Sequence, residues 1–161
     1  MTYQKLSPVT LIAAVQDKVE AFTGMRCYDH VPLNEESPLY FAEITRIQPA
    51  NSKTMFRDVY TVAIHCIAEE SPSSVGAYNL IENLQSALSE DINLPEPFAL
   101  VMQTDNGVQT IKTDESGEKH AIVNFDFMVS YGFMCKIWKE TKNYEKESIQ
   151  SIAVIRFWQQ R

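Results

Sequence analysis

His120-Ala121-Ile122-Val123-Asn124-Phe125-Asp126-Phe127-Met128-Val129-Ser130-Tyr131-Gly132-Phe133 is the stretch that decides the fold. Ala121, Val123, Phe125, Phe127, Val129, Tyr131 and Phe133 fall on one parity, while Asn124, Asp126, Ser130 and Gly132 fall on the other. Successive side chains of a strand point to opposite faces, so this alternation predicts one buried and one wetter side. Burying those seven side chains contributes roughly 10–20 kcal/mol before chain entropy is subtracted. At about 3.3 Å per residue the strand would span roughly 45 Å. That exceeds the usual strand length, so part of it is expected to project beyond the domain or to meet another subunit.

Upstream, Ser7-Pro8 has the form of a helix start: a capping hydroxyl, then Pro where its missing N–H costs nothing. Leu11, Ile12, Val15, Val19 and Phe22 mark one face and Gly24 stands at the end, predicting a helix from Pro8 to Thr23. Met25 to Val31 reads as a short strand closed by Pro32, and Pro32 to Pro38 as a polar loop. Leu39 to Gln48 reads as a second strand. Its opening run Leu39-Tyr40-Phe41-Ala42 is apolar on both faces, which suits a central position.

A hairpin whose loop includes Met55 and Phe56 leads into a third strand carrying Tyr60, Val62, Ile64, Cys66 and Ala68. Ser71-Pro72-Ser73-Ser74 opens a second helix, with Ala77, Leu80, Ile81, Leu84, Ala87 and Leu88 along one side. Pro95 and Pro97 forbid its continuation. Leu100 to Thr104 and Gln109 to Asp114 read as two further short strands before a turn at Asp114-Glu115-Ser116-Gly117. The expected fold class is therefore α+β. A mostly antiparallel sheet of four to six strands carries two helices on one face, in the order α-β-β-β-α-β-β.

Residues 1–134 read as one domain and residues 135–161 as a basic C-terminal extension. Within that extension, Ile149, Ile152, Ala153 and Phe157 suit a helical stripe, while Ile152, Val154 and Trp158 suit a strand equally well. Docking of the segment on its own domain or on a neighbouring subunit are both open.

The 161 residues carry a net charge of −7. The division is uneven: residues 71–134 hold two basic and nine acidic side chains, whereas residues 135–161 hold six basic and three acidic. An acidic body argues against a general nucleic-acid binder, which needs clustered Lys and Arg. Three widely spaced cysteines, Cys27, Cys66 and Cys135, fit reduced thiols rather than a disulfide framework. Met1 to Ser7 lacks the pattern of a secretory leader, and no apolar run approaches the ~18 residues of a membrane span.

Catalytic and metal chemistry find little support. His65 and Cys66 are adjacent in a strand and face opposite sides, so they cannot grip one ion together. Cys27 and His30 have no second pair at ligand spacing. No nucleophile elbow and no phosphate-cradling glycine loop is present. Glu35-Glu36, Glu69-Glu70 and Asp114-Glu115 fall in or beside loops, where solvated charge is the plain reading. Met55 and Phe56 are a candidate partner contact, or fold back beneath the hairpin. No catalytic residue, cofactor or metal is expected.

The order of these elements resembles the bacteriophage tail terminator proteins, also called tail completion or head–tail joining proteins. The resemblance covers Ser7 to Phe133. It runs through the helix Leu11 to Phe22, Cys27-Tyr28-Asp29-His30-Val31-Pro32, Pro38-Leu39-Tyr40-Phe41 and the polar-tipped hairpin. Ala63-Ile64-His65-Cys66, the helix Ala77 to Leu88 and the turn Asp114 to Gly117 follow. The basic extension has no counterpart in that pattern.

The resemblance implies a structural virion protein at the tail–neck junction, assembled in the host cytoplasm. It implies a homo-oligomeric ring, commonly hexameric, that caps the tail tube protein and presents a docking surface to the head–tail connector protein. Acidic subunits would let DNA pass through the lumen without specific binding. Glu35, Glu36, Glu69, Glu70, Asp114, Glu115 and Glu118 then become candidate lumen or docking residues, with Met55 and Phe56 as candidate contacts. Another neck component of the virion is the nearest alternative. A cytosolic protein-binding module working by sheet-edge pairing, and an enzyme using loop carboxylates, belong to other classes.

Overall fold

The computed structural model describes residues 3–31 and 35–134; the expectations for residues 135–161 lie outside the described residues. Helix α1 (Pro8–Thr23) and helix α2 (Val75–Ala87) lie on one face of a five-stranded sheet. Its strands are β1 (Cys27–Tyr28), β2 (Leu39–Pro49), β3 (Met55–Ala68), β4 (Ala99–Thr113) and β5 (Lys119–Phe133). The spatial order is β1-β2-β3-β5-β4. Among the described strands only β1 and β2 run parallel; the other pairings are antiparallel. This is the α+β arrangement expected from the alternation and the two amphipathic helices.

β5 is the spine of the sheet. It pairs with β3 from Lys119 to Phe133 and with β4 from Lys119 to Ser130, so it lies between two strands and does not project. Its length is matched by β3 and β4, which are 14 and 15 residues long. The expected projection is corrected on that ground. Ala121, Val123, Phe125, Phe127 and Val129 are fully buried beneath the helices, but Phe133 is 62% exposed.

β3 supplies Tyr60, Val62, Ile64 and Cys66 to the same layer, and the helices answer with Leu11, Val15, Val19, Leu80 and Leu84. Two phenols stitch the layers together. The Tyr40 hydroxyl donates to the Leu80 carbonyl at 2.9 Å, and the Tyr60 hydroxyl donates to the Leu6 carbonyl at 2.8 Å. A buried hydroxyl needs such a partner, so each bond fixes where a helix or its lead-in segment must sit.

Three further expectations change. The first strand shrinks from Met25–Val31 to Cys27–Tyr28. The two short strands around Gly107 are one strand, β4, in which bulges between Leu100 and Met102, Asp105 and Val108, and Val108 and Thr110 absorb the breaks in alternation. Met55 and Phe56 belong to β3 rather than to the hairpin loop, pairing with Phe133 and Gly132. The opening of β2 is central as its composition suggests: Leu39, Tyr40, Phe41 and Ala42 are all buried where β1 and β3 flank them. No described helix is long and apolar enough to cross a membrane.

Candidate functional site

Strand register decides which loops share an end of the sheet. Leu39 pairs with Ile67, Ile67 with His120 and His120 with Lys112. The segments bearing Glu35-Glu36, Glu69-Glu70 and Asp114 to Glu118 therefore leave the sheet at one common end. Glu70 lies against the β4–β5 turn, for a Cβ added to Gly117 would stand 2.8 Å from Glu70 Cγ. Met55 and Phe56 are at the opposite end. There Phe56 packs on Tyr3 at 5.0 Å and on Tyr131 at 6.1 Å between ring centres. Phe56 is half-buried, so it folds back onto its own domain and leaves only part of its ring outward.

At the acidic end, on the face without helices, a row of polar side chains crosses β2, β3 and β5 and reaches the β4–β5 turn at Asp114. Glu43 Oε1 is 3.1 Å from His65 Nε2, and His65 Nδ1 is 2.8 Å from His120 Nε2. Asp114 Oδ2 stands 3.8 Å from His120 Nδ1. Phe41 stacks on the His65 ring at 3.9 Å, and Leu39, Ile67 and Tyr28 complete a small apolar patch beside it. Burial lowers the His65 pKa, and the neighbouring His120 adds to that effect while Glu43 opposes it. Only one imidazole can donate across the 2.8 Å contact, so the pair accommodates at most one positive charge in this geometry.

The sequence placed His65 in a strand and His120 at a strand start, but their meeting is a diagonal contact that only the β3–β5 register creates. A second feature missed at that level is Asp58, which is 1% exposed and gripped by Lys5 Nζ at 2.8 and 3.1 Å. Asn124 and Asp126 are half-buried on the wetter side of β5 as expected, and Asp126 accepts a 2.6 Å bond from Thr61, whereas Ser130 is buried, at 5% exposed. Cys27 and Cys66 are buried thiols whose pKa values burial pushes up to about 12, so neither is a ready nucleophile.

Among the described residues no group of three His, Cys, Asp or Glu side chains is arranged around a metal-sized space. A cleft of about 340 Å³ beside α1 is lined by Ala14, Asp17, Lys18, Ala21 and Asn93, none of them from the acidic loops. What the molecule offers is two unlike ends on one sheet: a carboxylate-rich rim and an aromatic base.

A family model described as a phage "tail termination protein" matches residues 2–137. The chain belongs to the phage tail terminator family. This phage structural tail protein is also similar to a solved chain from the virion of a native gene transfer agent particle. That chain shares 19% identity at a TM-score of 0.64, with 78% of this chain and 99% of that one covered. At that identity the likeness concerns the fold alone. No curated protein matches this tail terminator family member.

Proposed function

We propose that this tail protein closes into a ring that caps the finished tail tube and joins it to the head connector at the tail–neck junction. The observation that carries the reading is the separation of its two ends. Glu35, Glu36, Glu69, Glu70, Asp114, Glu115 and Glu118 leave the sheet together, opposite the Tyr3, Phe56 and Tyr131 cluster. A wall segment between tube and connector needs two such different contact surfaces. An acidic rim also suits a passage for DNA, since like charge keeps phosphates from adhering.

The test is to mix the purified full-length protein with isolated tail tubes and image the mixture by electron microscopy. Rings at one tube end are expected. Bare tubes at saturating protein would overturn the proposal. Binding to connector complexes but never to tubes would favour the alternative neck component. If the carboxylates line the passage, Glu70→Lys combined with Glu115→Lys should give rings that retain short DNA at low salt, where wild-type rings release it.

A further inference from the structure

Among the described residues the sheet has two margins without a partner strand. β4 pairs with β5 along one side only, and its other side carries no described strand. On the opposite margin β1 covers Tyr40 and Phe41 of β2, and among the described residues no strand pairs with the outer side of Ala42 to Pro49. Both margins expose apolar side chains: Val101 at 41% and Met102 at 52% on β4, and Ile47 at 46% on β2. A long edge of that character invites another strand, and natural edges usually prevent this with Pro, charge or a cover. β4 has no Pro, its one Lys, Lys112, lies at its far end, and only its three bulges interrupt the edge, which leaves Met102 to Asp105 as a regular stretch.

The directions of the strands suit a match between these margins. Three antiparallel steps separate β2 from β4, so the two run opposite ways. A second copy set beside the first in the same orientation would bring its β2 antiparallel to the first copy's β4. The registers also fix what would meet at equal height. Gln48, Val59, Met128 and Met102 form one row across the sheet, and Arg46, Thr61, Asp126 and Thr104 form another.

Charge agrees. Residues 71–111, which hold α2 and most of β4, contain Glu82, Glu90, Asp91, Glu96 and Asp105 without a single Lys or Arg. The hairpin of β2 and β3, Leu39 to Ala68, sets Arg46, Lys53 and Arg57 against Glu43 and Asp58, a net charge of +1. Arg46 of one copy would arrive beside Thr104 of the next on the helix-free face, while Asp105 faces the helix layer, where Gln85 of α2 donates to it.

We infer that successive copies join by pairing the outer edge of β4 with Ala42–Pro49 of β2 in the neighbour. Such a contact uses two different surfaces, which is the heterologous kind that generates closed rings when the rotation permits. The inference rests on the ring reading above and specifies its seam: Met102 beside Gln48, Thr104 beside Arg46, and Gln103 beside Ile47 with Val101 diagonal to it.

Paired cysteines test it. In a Cys135→Ser background, Gln48→Cys and Met102→Cys are introduced into the same full-length chain. Within one copy those positions are three strand spacings apart, about 14 Å. A disulfide needs roughly 4.4–6.8 Å between Cα atoms, so only a bond between copies can form. Mild oxidation of rings assembled on tubes should give a covalent ladder up to the ring size. The mismatched pair Gln48→Cys with Thr113→Cys should give none. Val101→Lys with Met102→Lys should leave a folded monomer, judged by circular dichroism, that no longer caps tubes. Rings that form in wild type without the ladder, and that persist in the lysine variant, would overturn this seam while leaving the ring reading intact. Wild-type protein that never assembles on tubes would overturn both.

Discussion

His65 Nδ1 and His120 Nε2 meet at 2.8 Å across β3 and β5, with Glu43 at one end of the pair and Asp114 at the other. Neutral rings satisfy the two short contacts: His65 Nε2–H donates to Glu43, and His65 Nδ1 accepts from His120 Nε2–H. A proton on His65 Nδ1 would set N–H against N–H across that 2.8 Å contact and force the rings apart.

The pH dependence follows from the lowered pKa of His65. The unfolded chain binds a proton near the ordinary value of 6.5, whereas the folded chain resists it. Stability from this site is therefore full above about 6.5 and is lost as pH falls below it. The melting temperature of the wild type should drop between pH 7.5 and pH 5 by more than that of His65→Gln. Equal slopes for the two proteins would refute the assignment.

Lys5 and Asp58 make a second prediction. Asp58 is buried, so Lys5→Met leaves its carboxylate without a cation to answer it. The expected loss is about 1–2 kcal/mol, the lower part of the usual cost because Lys5 is itself 57% exposed. Lys18→Met, which removes only a pair with the exposed Glu90, should cost less. Urea denaturation of the two variants gives the comparison.

Gly132 gives a third. A Cβ at that position would run into the Tyr3 ring, whose hydroxyl donates to the Phe133 carbonyl at 2.8 Å. Gly132→Ala should displace Tyr3 from Phe56 and expose the aromatic base without unfolding the sheet. Tyrosine fluorescence and faster hydrogen exchange near Phe133 would report it; unchanged exchange there would argue against the contact.

The core supplies the fourth. Phe127 is fully buried at the centre of β5, so Phe127→Ala should cost about 3–5 kcal/mol through lost burial and the cavity left behind. Phe133→Ala, at the exposed end of the same strand, should change stability little. Similar losses for both would mean that the alternation does not describe the burial.

The sequence alone determined the element types and their inner faces, because those depend on neighbours along the chain. Alternation through Ala121 to Val129 sets which side of β5 is buried, and the stripes from Leu11 to Val19 and from Ala77 to Leu84 set the helix faces. It failed where local pattern is ambiguous. Bulges around Val101 and Gly107 make one strand look like two, and Met55-Phe56 resembles a loop until Phe133 pairs with it. Only the tertiary structure decided that β5 is central, that the carboxylates of three distant loops share an end, and that His65 touches His120. Each of those facts depends on strand order and register, and a register shift of one residue would turn every side chain to the other face.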